Sequence, residues 1–305
     1  PIFSPSNLRN RVSWTAVYKT KLDVDTLGHT AATFYSYDIH GNVDTLLQDY
    51  KGWLDSSNRF KKIVYDYDLI SGKVNQVSYQ PGKLDQFYHR YTYDAENRLT
   101  DVETSSDQLY WEHDAFYNYY KHGPLNRMLL GKQQVQGIDY AYTLQGWLKG
   151  INSTSLMTGD DMGGDGKSAG GVASNPVAKD VLGYALEYYG YSDYEPISSS
   201  KKPFANGYVT SGFKSLYNGN IAGISLNIQG VISGNITTPV FYNYTYDQLN
   251  RLTREQSNTG LNANTNTWSI TPQNDYKENV SYDPNGNIIG YLRNGDSTAT
   301  SPRAM

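Results

Sequence analysis

The chain has no cysteine, which excludes disulfides, thiolate metal sites and cysteine nucleophiles. No run approaches the ~18 apolar residues that a membrane-spanning helix needs. Mean hydropathy is −0.63, and the opening Pro1-Ile2-Phe3-Ser4 does not have the shape of a signal peptide. Positive charge is not in excess. The 26 Lys and Arg meet 30 Asp and Glu, for a net charge of −4, so nucleic-acid binding has no electrostatic footing. The five histidines (His29, His40, His89, His113, His122) are scattered, with no His-x-His or His-Glu-x-x-His pair among them. No Gly-x-Ser-x-Gly elbow anchors a serine hydrolase.

Tyrosine and glycine are abundant instead, 29 and 28 of 305 residues. Leu-rich helical stretches are missing, and the composition is that of an all-β protein. The aromatics alternate. Phe87, His89, Tyr91 and Tyr93 share one parity, as do Tyr242, Tyr244 and Tyr246, and Ile138, Tyr140 and Tyr142. A period of two marks a strand with distinct faces. The tyrosines are expected to form ladders on one face, with cross-strand aromatic pairs that stabilise a sheet by ~0.2–1 kcal/mol each.

Each alternating run ends in a motif. Tyr37-Asp38-Ile39-His40-Gly41-Asn42-Val43 is one copy, Tyr93-Asp94-Ala95-Glu96-Asn97-Arg98-Leu99 a second, Tyr246-Asp247-Gln248-Leu249-Asn250-Arg251-Leu252 a third and Tyr282-Asp283-Pro284-Asn285-Gly286-Asn287-Ile288 a fourth. Asp suits the first position of a type I turn, and Gly or Asn at the fourth tolerates a left-handed backbone. Each motif is therefore the tip of a β-hairpin, and the aliphatic residue after it starts the return strand. Weaker copies open at Asp68 with one extra residue, at Gly123, whose Asn126-Arg127-Met128 reads as the Asn-Arg-aliphatic element, and at Thr143. The openings fall at 38, 68, 94, 123, 143, 247 and 283. A repeated unit of this kind builds an array in which neighbours cover each other's apolar faces.

These motifs resemble the YD repeats of the RHS (rearrangement hotspot) family. Tyr91-Thr92-Tyr93-Asp94 and Tyr244-Thr245-Tyr246-Asp247 match the start of the family pattern, and Asn97-Arg98-Leu99-Thr100 and Asn250-Arg251-Leu252-Thr253 match its end. Gln145 through Asn152 and Leu216 through Ile224 look like the RHS proteins of Bacteroidetes-type bacteria. The resemblance covers roughly residues 10 to 295. It implies an all-β array of antiparallel hairpins forming part of a spiral β-shell. Such a shell encloses a toxin domain of the same polypeptide, as in polymorphic toxins and insecticidal toxin complexes. It also implies a secreted or cell-surface bacterial protein. Its partners would be the flanking repeats, a C-terminal cargo domain and secretion machinery, with no nucleic acid and no membrane span. Asp283-Pro284-Asn285-Gly286 stands alone, so the paired Asp-Pro-x-Gly block of the family's self-cleaving site is not in view. A cell-surface adhesin or glycan-binding YD module is the competing reading.

Three blocks are expected: a YD-repeat sheet over 1–152, a Gly/Ser-rich insertion over 153–205, and a second YD-repeat block over 206–305 ending in a flexible tail. Within the insertion, 153–175 reads as a flexible loop, and Val181, Leu182, Ala185, Leu186 and Tyr189 could lie on one short helix over 176–190. The Asn/Thr-rich stretch 255–275 reads as a long hairpin loop. The stretch Gly159–Ser168 is not a phosphate loop, because Asp161 stands where Gly is needed. Asp160, Asp161 and Asp165 lie close together, which leaves a calcium loop as an alternative, but they lack EF-hand spacing, and the segment reads first as a solvated linker. No catalytic, cofactor or metal residue is expected. The turn aspartates, recurring at the same place, are expected to cap their own turns. The chain ends soon after a hairpin, so its outermost strands are expected to have unpaired edges.

Overall fold

The computed structural model describes residues 3–26, 28–51, 58–169, 172–173, 176–197, 201–210, 212–230, 238–295 and 303–304. The protein is all-β, as the alternating pattern requires. The one helix among the described residues, α1 (Lys21–Asp25), is five residues long and is started by a reciprocal capping box between Thr20 and Asp23. The chain divides into two compact units, Pro1–Tyr117 and Asn118–Met305.

The first unit is a meander: β1 (Trp14–Val17), β2 (Ala31–Tyr37), β3 (Val43–Asp49), β4 (Phe60–Tyr67), β5 (Val74–Tyr79), β6 (Phe87–Tyr93), β7 (Leu99–Ser105) and β8 (Glu112–Tyr119). Each strand pairs antiparallel with the next. The motif tyrosine closes each long hairpin, with Tyr37 opposite Val43, Tyr67 opposite Val74 and Tyr93 opposite Leu99. A register shift immediately before each of these tyrosines marks a bulge. The residue facing each upstream tyrosine is aliphatic, not aromatic: Tyr35 meets Leu46, Tyr65 meets Val77 and Tyr91 meets Val102. Tyr65 instead meets an aromatic along its own strand, its ring stacking with that of Tyr67 at 6.2 Å.

The second unit continues with β9 (Leu125–Leu130), β10 (Gln136–Tyr142), β11 (Leu148–Ile151), a separate small ladder of β12 (Ser168–Ala169) and β13 (Val172–Ala173), then β14 (Leu182–Glu187), β15 (Gly223–Ile228), β16 (Val240–Tyr246), β17 (Leu252–Asn262), β18 (Thr267–Pro272), β19 (Glu278–Tyr282), β20 (Ile288–Arg293) and β21 (Arg303–Ala304). β11 pairs with β14 and β14 with β15, so the connections 152–181 and 188–222 are insertions into one continuing meander.

Three expectations are corrected here. Residues 182–187 are a strand, not part of a helix. Gly183, Ala185 and Glu187 are all buried at a period of two, but they are too small or too polar to register as an apolar alternation. The 255–275 stretch is not a long loop. Its first half belongs to β17, and β18 pairs back onto it with Trp268 buried against Phe241 at 5.8 Å. In the tail, Ala304 and Arg303 pair with Leu292 and Arg293, and the rest of it after Gly295 lies outside the described residues.

The apolar core of the second unit forms where the 188–222 insertion lies on the sheet. Phe204 packs on Ala141 and Ala185, and Ala205 and Tyr208 pack with Phe241 and Trp268. Small sheet residues make room. A Cβ on Gly183 would stand 2.0 Å from the Ser153 carbonyl oxygen, so that strand position is open only to glycine.

Candidate functional site

The repeated turn is the first candidate. Asp38 Oδ1 accepts from the backbone N–H of Gly41 at 2.6 Å and of Asn42 at 2.8 Å, while its Oδ2 accepts from the Asn42 side chain. Asp94 does the same with Glu96 and Arg98, Asp247 with Leu249 and Arg251, and Asp283 with Asn287. The Asp68 turn carries its extra residue as a wider loop, in which Gly72 N–H donates to the Asp68 carbonyl. Gly41, Asn97, Asn250 and Gly286 stand at φ of 100°, 61°, 59° and 91°, the left-handed position of a type I turn closed by a bulge. The carboxylates therefore act on their own backbone. Hydrogen bonds hold Asp247 and Asp283 below the ordinary carboxylate value, led by the Arg251 backbone N–H for the first and the Asn287 side chain for the second.

One opening was misplaced. In the hairpin after β8, Tyr120 N–H donates to the Pro124 carbonyl and Gly123 N–H to the Tyr120 carbonyl. The turn therefore opens at Tyr120, with Gly123 at the fourth position and φ of 119°. Asn126-Arg127 is consequently not a turn element, and Arg127 is free for a different role.

The motif tyrosines make a bond that the sequence reading missed. Tyr67 hydroxyl donates to the Val43 carbonyl at 3.0 Å, Tyr93 to Val74 at 2.8 Å and Tyr282 to Leu252 at 2.8 Å. Each acceptor is the first residue of the preceding hairpin's return strand. Tyr188 reaches Leu148, the first residue of β11, in the same way. Tyr37 reaches Val12 and Tyr246 reaches Ile221, so Asn10-Arg11-Val12 and Asn218-Gly219-Asn220-Ile221 are the ends of further, less regular repeats. Arg251 adds a second tie, donating to the Asp283 carbonyl at 3.1 Å with its guanidinium 4.6 Å from the Tyr282 ring centre.

The two insertions make buried polar nodes on the second unit. Lys149 on β11 donates to Glu187 on β14 at 2.5 Å and to Asp193 in the insertion at 2.8 Å. All three are nearly inaccessible. Burial pulls the Lys149 ammonium towards losing its proton, but the two carboxylates outweigh it and raise it above the ordinary lysine value. The node pins the 188–222 insertion and sits at the wall of a cavity of about 310 Å³, also lined by Tyr194, Phe204 and Tyr208.

The Gly159–Ser168 stretch is not a solvated linker. Asp161 and Asp165 are 3% and 1% exposed, and they meet Asp139 from β10, with donor oxygens all within 4.8 Å of one another. Arg127 on β9 donates to Asp139 at 2.5 Å and also to Asp165. Burial drives the Asp139 carboxyl up to about 6 against the pull of Arg127, and drives Asp180 up to about 9, reinforced by Asp161. Asp160 stays outside the group, accepting from Ser155 at 2.7 Å. On the first unit, His113 meets Asp101 at 2.9 Å and Glu103 at 3.6 Å; Glu103 is already held by Arg90.

No protein-family model matches the chain, and no curated protein does. Solved structures do. The crystal structure of TcdB2-TccC3 without its hypervariable C-terminal region matches 96% of this chain at a TM-score of 0.55 and 14% identity. The Photorhabdus luminescens Tc holotoxin pore with a mutation in TccC3 matches 95% at a TM-score of 0.55 and 13% identity. This chain spans 13% of the length of each. The likeness is one of fold: a Tc toxin component contains a stretch of sheet built in the same way.

Proposed function

We propose that this chain is a structural segment of an RHS-type shell, which encapsulates or displays a toxin domain of the same larger, secreted bacterial polypeptide. One observation carries the reading. An antiparallel hairpin array, tied from repeat to repeat by tyrosine hydroxyls, matches a Tc toxin component over nearly its whole length. The Gln145–Asn152 and Leu216–Ile224 stretches support the Bacteroidetes-type branch, and in the structure each of them includes a hairpin tip or its remnant.

The chemistry fits a wall. The recurring carboxylates are consumed by their own turns, and the motif tyrosines by the neighbouring repeat. In this reading the chain turns over no substrate. Its partners are the flanking repeats and the cargo domain, and its tyrosine-bearing surface is apolar in body and polar at the tip, suited to confining a polypeptide without gripping it. Limited proteolysis of the parent polypeptide tests this. The cargo domain should resist digestion while the wall is intact and be degraded once Tyr67→Phe, Tyr93→Phe and Tyr282→Phe together loosen it. A cargo digested equally fast in both would refute encapsulation.

A further inference from the structure

We propose that the buried pocket formed by Asp139, Asp161, Asp165 and Asp180 is a binding site for a divalent cation of the hard, oxygen-seeking kind, calcium in preference to magnesium, which fastens the 152–181 insertion to the sheet. The inference stands independently of the shell reading.

The four carboxylates come from separate places. Asp139 is on β10, opposite Arg127 on β9. Asp161 and Asp165 lie on one turn of the insertion, where Asp165 N–H donates to Asp161 Oδ1 at 2.6 Å. Asp180 enters from the far end of the insertion, just before β14, and accepts from Gln136 through Oδ1 at 3.3 Å. All four are at most 3% exposed. Arg127 donates to two of them, Asp139 and Asp165. Lys201 contributes at the rim, where its ammonium bonds the Asp161 backbone carbonyl, and Lys167 lies next to Lys201. Carboxylates gathered out of water are costly unless enough positive charge joins them.

A second observation points to an ion rather than to a self-contained network. Asp180 is 2% exposed, yet its Oδ2 has no hydrogen-bond partner among the described residues, and the same holds for Asp161 Oδ2. Asp180 is close enough to Asp161 for the two carboxyls to perturb each other directly. A buried carboxylate oxygen that no donor reaches needs a proton or a metal against it. The donor atoms of Asp139, Asp161 and Asp165 fall within 4.8 Å of one another. Oxygens bound at ~2.4 Å to one calcium ion cannot be farther apart than about that distance. The donor set is all oxygen, without the imidazole or thiolate that would favour zinc. Calcium accepts an irregular shell of six to eight oxygens, whereas magnesium demands a near-ideal octahedron, and four carboxylates partly committed to Arg127 offer the irregular one. The backbone is shaped around this point: a Cβ on Gly163 would strike Arg127, and one on Gly137 would come 2.2 Å from Asp165 Oδ2.

Titration calorimetry and thermal melting of the chelator-treated protein test the proposal, with calcium and magnesium chlorides as the probes. Calcium at about 1 mM should bind with a stoichiometry of one and raise the melting temperature by roughly 5 °C, magnesium at the same concentration much less. Asp161→Asn and Asp180→Asn, each nearly isosteric, should weaken calcium binding at least about tenfold, while Asp160→Asn, just outside the group, should leave it unchanged. Absence of calcium heat and of any melting shift in the folded, chelator-treated protein would overturn the proposal and leave the Asp161–Asp180 pair sharing a proton. Calcium binding that survives Asp161→Asn and Asp180→Asn would equally overturn it.

Discussion

At the scale of the residue, the aspartate and the tyrosine of each motif do different work. The aspartate folds its own turn; the tyrosine ties that turn to the previous one. Removing one phenol should therefore act between repeats. Tyr282→Phe keeps the ring and loses the bond to the Leu252 carbonyl, which should cost ~0.5–1.5 kcal/mol in thermal or denaturant melting. Gly286→Val acts within a repeat. The nearest atom to an added Cβ is Arg251 at 3.8 Å, so crowding is absent, and the penalty comes from a β-branched residue held at φ of 91°. It should cost about 1–2 kcal/mol, and an unchanged melting temperature would contradict the turn geometry. The turn aspartates also set the response to acid. Asp68, Asp247 and Asp283 titrate below 3.8 in the folded protein because their turns donate to the charged form. A carboxylate lowered in this way contributes stability above its unfolded value, and the contribution is lost as pH falls through the folded one. Melting temperature should therefore drop steeply below about pH 4, and Asp283→Asn should make that drop shallower.

At the scale of the element, the regular hairpins were legible and the insertions were not. A tip such as Asp94-Ala95-Glu96-Asn97 shows itself because its chemistry is local: an Asp acceptor and a residue that tolerates positive φ, three positions apart. The tyrosine bond was invisible because its acceptor is a backbone carbonyl 19 to 40 residues away, and every residue has one. The Tyr120 opening was misread because a tyrosine stands where the aspartate should, which moved the expected turn to the next glycine. β14 was mistaken for part of a helix because the face it buries is Gly183, Ala185 and Glu187, chosen for the insertion lying on it and not for apolarity. The acidic group could have been suspected only from the aspartates of a glycine-rich stretch, of which Asp161 and Asp165 belong to it; its other members, Asp139 and Asp180, come from outside that stretch. Gly183→Val tests the contact that governs this region. Its side chain would collide with the Ser153 carbonyl and lift the 152–181 insertion, costing ~1–3 kcal/mol. Protease cleavage within the insertion should accelerate in the variant, and equal rates would show that the insertion does not depend on the sheet.

At the scale of the whole molecule, the account joins a repeated unit to a wall. Each hairpin leaves one edge for the next, and each motif tyrosine fixes how that next hairpin is set. The two insertions thicken the second unit from one face, with Phe204, Tyr208, Trp268 and Phe241 supplying its core. Among the described residues no helix is long and apolar enough to cross a membrane. The match to TcdB2-TccC3 over 96% of the chain is a likeness of fold. Electron cryomicroscopy of the parent polypeptide tests the central claim most directly. The account predicts these hairpins in the wall of a closed cavity, continuous with further YD repeats on both sides, with density for the cargo within. The same hairpins standing as a free module, with both faces of the sheet in bulk solvent and no enclosed volume, would contradict it.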